Sequence, residues 1–375
     1  TLPNETITDE AFVEQEVTVP NEEIEESSEG VEVTMDEEGG AQIDFDPKAE
    51  GLESQDHFSN LAEIMEDKYL GELGSTLFDQ YTEYKESRAD WENTYREGLE
   101  LLGFKYERRT EPFRGASGVN HPVLAEAVTQ FQAQAYKELL PADGPVRAQI
   151  LGDISNEKQD QANRVKDFMN YQIMDQMPEY EPEFDQMLFY LPLSGSTFKK
   201  IYYDDLLGRA VSKFVPADDL IVPYSANSLE DAEAIVHVIR MSENEIRKQQ
   251  VSGFYKDVEV GNPPVTSNEL KDTELKLEGI TKNSNQDQFN LLEMHVDLDL
   301  EGFEDMGEDG EPTGIKLPYI VTILESTNEI LSIRRNYTED DPLKEKIKYF
   351  VQFKFLPGTG FYGFGLIHMI GGLTR

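Results

Sequence analysis

Lys348-Tyr-Phe-Val-Gln-Phe-Lys-Phe355, then Gly358-Thr-Gly-Phe-Tyr-Gly-Phe-Gly365, then Leu366 to Arg375, read as strand, glycine loop and helix. Gly358, Gly360 and Gly363 carry the G-x-G-x-x-G spacing of a dinucleotide loop. In such a loop small residues let the backbone approach a pyrophosphate at a helix N-terminus. The fingerprint is completed by an acid about 20 residues further on, a position past Arg375. Pro357 interrupts the turn, and Phe361, Tyr362 and Phe364 crowd it. The stretch is therefore read as a packed strand-to-helix junction built on Gly358, Gly360, Gly363 and Gly365, with a nucleotide cradle as the alternative.

Composition narrows the choice. A chain of 375 residues holds two or three domains and a sizeable core. Its 75 acidic and 33 basic residues leave a net charge of −42. Such a surface repels nucleic acid, which argues against sequence-reading DNA or RNA binding and is compatible with DNA passing without adhesion. The absence of cysteine removes disulfides, thiol nucleophiles and thiolate metal sites. No apolar run approaches 18 residues and no signal peptide is visible, so no membrane partner is expected. The chain starts at Thr1 and stops inside an expected helix, so both ends are read as cut.

Residues 1–57 contain nineteen acids against one base, Lys48, and read as an acidic, disordered arm. Within it, Val17-Thr-Val and Gly30-Val-Glu-Val-Thr alternate in the manner of strands. Order is expected from Phe58, in a helical region over 58–195. Leu77, Tyr81, Tyr84, Arg88, Trp91, Tyr95, Leu99 and Leu102 recur at three- and four-residue steps and predict one long amphipathic helix ended by Gly103. Further helices are expected over Pro122–Leu140, Glu157–Gln176 and Tyr180–Tyr190, with a strand at Val146–Leu151. From Gly195 the period changes to two, opening a β-rich region over 196–357. A hairpin is expected from Ser196–Tyr203 and Gly208–Val215, then a strand at Ala234–Arg240 and a helix capped by Ser242 and Glu245. Residues 256–289 read as an exposed loop. Leu291–Leu300, Tyr319–Leu324, Ile330–Arg335 and Lys348–Phe355 read as a second antiparallel group. Residues 358–375 are the junction and the start of the final helix, and the fold class is α+β.

Chemistry-bearing constellations are sparse. Asp297-Leu-Asp-Leu-Glu-Gly-Phe-Glu-Asp-Met-Gly-Glu308 approaches a calcium loop, with acids at positions 1, 3, 5 and 12 and glycine at 6. Leu292, Met294, Val296, Leu298 and Leu300 alternate on its incoming side, however, which is a strand pattern where a helix is required. His57, His121, His237, His295 and His368 form no metal-binding pair. There is no G-x-S-x-G elbow and no P-loop. Lys105, Arg108, Arg109 and Arg114 form one basic loop, read as a surface or subunit-interface site for carboxylates. No cofactor, metal or catalytic residue is expected.

Pro112-Phe-Arg-Gly-Ala-Ser-Gly-Val-Asn-His-Pro122, Phe131-Gln-Ala-Gln-Ala and Leu140-Pro-Ala-Asp-Gly-Pro-Val resemble the N-terminal region of portal proteins of tailed bacteriophages. Phe214-Val-Pro-Ala-Asp-Asp-Leu-Ile-Val-Pro and the segment ending Gly358-Thr-Gly-Phe-Tyr-Gly-Phe-Gly-Leu are also similar to that family, in its P22-like and short-tailed marine-phage branch. The resemblance covers residues 60–375. It implies a portal fold: a helical and β-rich wing over 58–357, a wing-to-stem transition at Gly358–Gly365 and a first stem helix from Leu366. Clip, second stem helix and crown would lie past Arg375. The resemblance also implies a non-enzymatic ring, commonly of twelve subunits, at one capsid vertex of the virion, assembled in the host cytoplasm. Its partners would be terminase, capsid or scaffold protein, tail adaptors, and double-stranded DNA in transit. Another structural virion protein, such as a head–tail adaptor, is the second reading, and a nucleotide-binding enzyme the third.

Overall fold

The computed structural model describes residues 32–35, 41–44, 57–102, 113, 122–152, 155–204, 207–261, 269–279, 288–307, 310–358 and 360–374. Two compact units result, Thr1–Asp56 and His57–Arg375. In the first, β1 (Glu32–Met35) and β2 (Ala41–Asp44) pair as an antiparallel hairpin. Glu32–Met35, the described part of the second alternation, is thus a strand paired within its own chain, and Val17-Thr-Val lies outside the described residues.

The second unit mixes helix and sheet, as an α+β fold does. Its helices are α1 (Asp67–Ser87), α2 (Ala89–Glu100), α3 (Val123–Leu139), α4 (Asn156–Tyr171), α5 (Tyr180–Ser194), α6 (Glu243–Val251), α7 (Glu269–Glu278) and α8 (Leu366–Thr374). One sheet has five antiparallel strands in the order β5 (Leu220–Ile221), β6 (Ala234–Ser242), β7 (Gln288–Leu298), β8 (Leu317–Leu324) and β9 (Ile330–Arg335). The other has three, with β3 (Ser196–Asp204) between β4 (Arg209–Pro216) and β10 (Phe350–Lys354).

Period-two burial explains the layering. Val236, Val238, Leu292, Met294, Tyr319, Val321 and Ile323 share one face of the large sheet and pack against Leu70, Leu77 and Tyr81 of α1. Over the other face, Phe289, Leu291, Leu324 and Leu331 meet Ile246 of α6 and Tyr255. Beside them that face turns polar, at His237, Glu293 and His295, where Phe350 of β10 lies against both imidazoles. Helix α5 packs through Phe184, Met187 and Leu188 on Phe214 and Phe353 of the small sheet. The helices α2, α3, α7 and α8 join the end of α5 in a further core of Tyr95, Leu99, Leu124, Val128, Leu193, Leu270 and Ile367. Helices from the region 58–195 and strands from 196–357 therefore share their cores.

Four expectations are corrected. The single helix through Trp91 is two helices, broken at Arg88 (φ −104°, ψ 8°) because its guanidinium is drawn into the body. Val146–Leu151 is extended but joins no ladder; Asn170 of α4 bonds Val146 at both its N–H and its C=O, and Leu151 is exposed. The loop expected over 256–289 contains α7. The strand at Lys348–Phe355 pairs with β3 in the small sheet instead of extending the β7–β9 group.

Asn60 fastens the start of this unit to β9. Its Oδ1 accepts from Ala62 N at 3.1 Å and Ile333 N at 3.0 Å, and its Nδ2 donates to Leu331 O at 3.1 Å. Asn60→Ala orphans these buried groups, at a cost of about 1–3 kcal/mol for an unsatisfied one. Urea unfolding should show a loss of at least about 2 kcal/mol; an unchanged midpoint would show that water or rearrangement replaces the side chain.

Candidate functional site

At the α1–α2 break the Arg88 guanidinium enters the protein interior, where the side chain is 5% exposed. Its Nε donates to Glu92 Oε1 at 2.7 Å, one turn along α2. Its Nη1 donates to the carbonyls of Ala217 and Leu220 and to Tyr362 Oη, each at 2.9 Å, and its Nη2 to Asp218 O at 2.5 Å. Tyr362 Oη in turn donates to Leu220 O at 2.9 Å. The Tyr362 ring stacks on Trp91 with centroids 4.6 Å apart, and Arg88 Cζ lies 5.6 and 5.8 Å from the two ring centres. Burial disfavours the cation, but Tyr362, Glu92 and Asp218 outweigh it, and the guanidinium stays charged. One planar group thus joins the helix break, the turn after β4 and the glycine loop.

The glycine loop is interlocked with the end of α5. A Cβ on Gly363 would lie 2.5 Å from Gly195 O and 2.6 Å from Leu356 O. One on Gly365 would lie 2.2 Å from Leu193 O, and one on Gly358 2.5 Å from Tyr362 O. Gly195 reciprocates: at φ +87° it turns α5 directly into β3, and a Cβ there would meet Gly363 O at 2.4 Å. Gly360 differs, since a Cβ on it would meet nothing within 4 Å. Three of the loop's amides are engaged inside the chain. Gly363 N donates to Ser196 Oγ at 2.7 Å, Phe364 N to Leu356 O at 2.9 Å and Gly365 N to His368 Nδ1 at 3.1 Å. The strand entering the loop is moreover the edge of an antiparallel sheet, so the structural context of a dinucleotide fingerprint is missing.

Beneath this joint lies an ionic layer. Asp219 receives a bidentate pair from Arg240, at 2.6 and 2.8 Å. Lys271 Nζ on α7 stands 2.9 Å from Glu274 Oε2 and 3.2 Å from Asp218 Oδ2, the second an ion pair without hydrogen-bond geometry. Both Asp218 oxygens, Glu274 Oε1 and Tyr95 Oη are buried without hydrogen-bond partners among the described residues. Burial and the neighbouring Asp218 push the Glu274 carboxyl up to about 7, and burial and Asp219 raise Asp218. These carboxyls therefore retain protons at pH values where ordinary ones are ionised.

A second buried charge cluster joins the two sheets. Lys200 of β3 holds both oxygens of Glu293 on β7 at 2.6 Å, with His295 Nε2 at 2.9 Å and His237 Nδ1 at 3.8 Å from Oε1. Burial alone would raise the Glu293 carboxyl; Lys200 and the imidazoles overcome that and hold it well below the usual range. Burial lowers His295. His295 is buried and His237 half-buried, and the ring of Phe350 lies against both. The calcium-like loop leaves β7 as a strand, without the helix a calcium hand requires, and Asp305 within it bonds Thr313 and Lys344. Between α3 and α5 a groove of about 540 Å³ is lined by Gln132, Tyr136, Glu181 and Asp185. Its polar groups pair with one another, Gln132 with Asp185 and Tyr136 with Glu181.

Arg108, Arg109 and Arg114 lie outside the described residues. Gly358, Gly363 and Gly365 come together with Gly195, a partner the sequence did not single out. Arg88 was visible as the one charged member of an apolar stripe, which is the signal of a buried cation. Lys271 and Glu274 had no such signal, because α7 is too short for its period to show. No protein-family model matches the chain, and no curated protein matches it.

Two outcomes test this site. Gly363→Ala and Gly365→Ala should each destabilise the unit by about 2 kcal/mol or more through overpacking, whereas Gly360→Ala stays within about 0.5 kcal/mol. Equal losses at all three would contradict the interlock. Glu274, raised in the folded state, contributes stability that is complete below its ordinary 4.5 and lost as pH rises through about 7. Chemical denaturation between pH 5 and 8 should show stability falling with pH in the wild type and a flatter profile in Glu274→Gln; parallel profiles would refute the assignment.

Proposed function

We propose that the chain is the wing portion of a tailed-bacteriophage portal protein. It would be a structural subunit of a ring at one capsid vertex, through which DNA is packaged and later ejected. The observation that carries the reading is the glycine loop. The amides of Gly363, Phe364 and Gly365 are engaged internally, and Gly363 and Gly365 lie against the end of α5, an arrangement suited to a fixed joint and poorly suited to a ligand cradle. Beside it stands the ordered series of portal-like segments from Pro112 to Leu366.

In this reading β10, the loop and α8 form the passage from wing to stem, and Arg88 clamps that passage to the wing. The chain contributes shape and charge, and the ATPase belongs to the terminase. With −42 on each subunit, a ring carries several hundred negative charges, screened beyond about 8 Å at physiological salt. DNA inside such a ring is kept centred by repulsion instead of being held through counterion release. Tail adaptors and capsid or scaffold protein are the other partners, and the site of action is the virion vertex. No helix among the described residues is long and apolar enough to cross a membrane.

Negative-stain microscopy of the purified protein should show rings with a central hole. In gel-shift titrations at 50 mM salt, linear duplex DNA should run unretarded at micromolar protein. A protein that stays monomeric at high concentration, or a salt-sensitive DNA complex, would contradict the proposal.

A further inference from the structure

Helix α4 buries none of its residues. Its inner side is held through Asn170, which donates to Asp143 O at 3.3 Å and Val146 O at 3.2 Å and accepts from Val146 N at 2.9 Å. Its outer flank carries Val165, Phe168, Met169 and Tyr171, all exposed, with Phe168 at 60%. Met174 in the π-turn after the helix and Leu151 before the helix are exposed as well, Leu151 at 86%. An exposed helix face is ordinarily polar. Taken with these exposures, the four side chains of the flank present on the order of 400 Å² of accessible surface, as large as the largest patch a monomer ordinarily leaves uncovered and about half of the roughly 800 Å² per partner of a stable interface.

Charge narrows the occupant. Over Asn156–Tyr171 three acids (Glu157, Asp160, Asp167) face three bases (Lys158, Arg164, Lys166), so the helix is neutral in a chain of −42. Two copies of so acidic a chain repel each other over most of their surface. They can approach where the charge is balanced and apolar area is available. Arg164, flanking Val165, forms no ion pair among the described residues and can meet a carboxylate of the incoming surface. The acidic segment 1–57 of the same chain has few large apolar residues to match the flank.

We infer that α4 and its π-turn form the surface by which one copy of this chain packs on the next, an inference that rests on the ring reading for the arrangement of the copies. The contact is heterologous: the helix of one copy meets a different surface of its neighbour, as ring closure requires.

The cysteine-free chain makes the test direct. Met169→Cys carries a single thiol, to be labelled with a benzophenone maleimide and irradiated in an assembly mixed from ¹⁴N and ¹⁵N copies. Mixed-isotope cross-linked peptides are expected, as is loss of assembly in mass photometry for Phe168→Glu with an unchanged circular dichroism spectrum. Cross-links only within one copy, to residues 1–57 or elsewhere, would overturn the inference. So would rings of Phe168→Glu with wild-type stoichiometry, and that result would leave the ring reading standing. A monomeric wild type would overturn both. Should Phe168→Glu fail to fold, the cross-link isotope pattern decides alone.

Discussion

A guanidinium taken out of water must find a partner for every donor, and this requirement shapes the unit around Arg88. A lone buried cation costs several kcal/mol, so the site exists only if its acceptors are held in place. Here those acceptors are the carbonyls of Ala217, Asp218 and Leu220, the Tyr362 hydroxyl and the Glu92 carboxylate. They come from three segments far apart in sequence. The planar fork fixes their separations, and lysine, with a single ammonium, has no means of doing so. The break between α1 and α2, the turn leading into β5 and the seating of the glycine loop are three consequences of one constraint.

The same economy governs the other scarce cations. In an acidic chain, Arg240, Lys271 and Lys200 lie inside and bind carboxylates that would otherwise force the elements apart. The two ionic clusters respond to pH with opposite sign. Glu293, held low by Lys200, contributes stability that is present above its ordinary range and lost as pH falls through its folded value. Glu274, held high by burial, contributes in the opposite direction. The sheet-to-sheet contact is thus acid-sensitive and the α7 contact base-sensitive, with a window between them in which both hold.

Legibility in the sequence followed the range of the interactions. Local devices were readable: the Ser242–Glu245 capping box, the β3–β4 hairpin, and the helix α3 that follows directly on Pro122. The glycine spacing marked a close approach but did not reveal what approached, because Gly195 lies more than 160 positions upstream of Gly363. The stripe through Trp91 predicted one helix, since periodicity continues across a kink when both halves keep the same buried face. The pairing of β10 with β3 was beyond reach, as strand alternation specifies a face and not a neighbour. Helix α7 was too short and too polar to show a period, and two of its charged residues, Lys271 and Glu274, belong to the ion network.

The central claim, that Arg88 holds the glycine loop closed against the rest of the unit, is tested most directly by native-state amide hydrogen exchange. In the wild type the amides of Gly363, Phe364 and Gly365 should exchange as slowly as those of the central strand β7, through global unfolding alone. In Arg88→Lys they should become the fastest-exchanging part of the junction while β7 keeps its protection. Rapid exchange of the three amides in the wild type, or protection untouched by the substitution, would contradict the account.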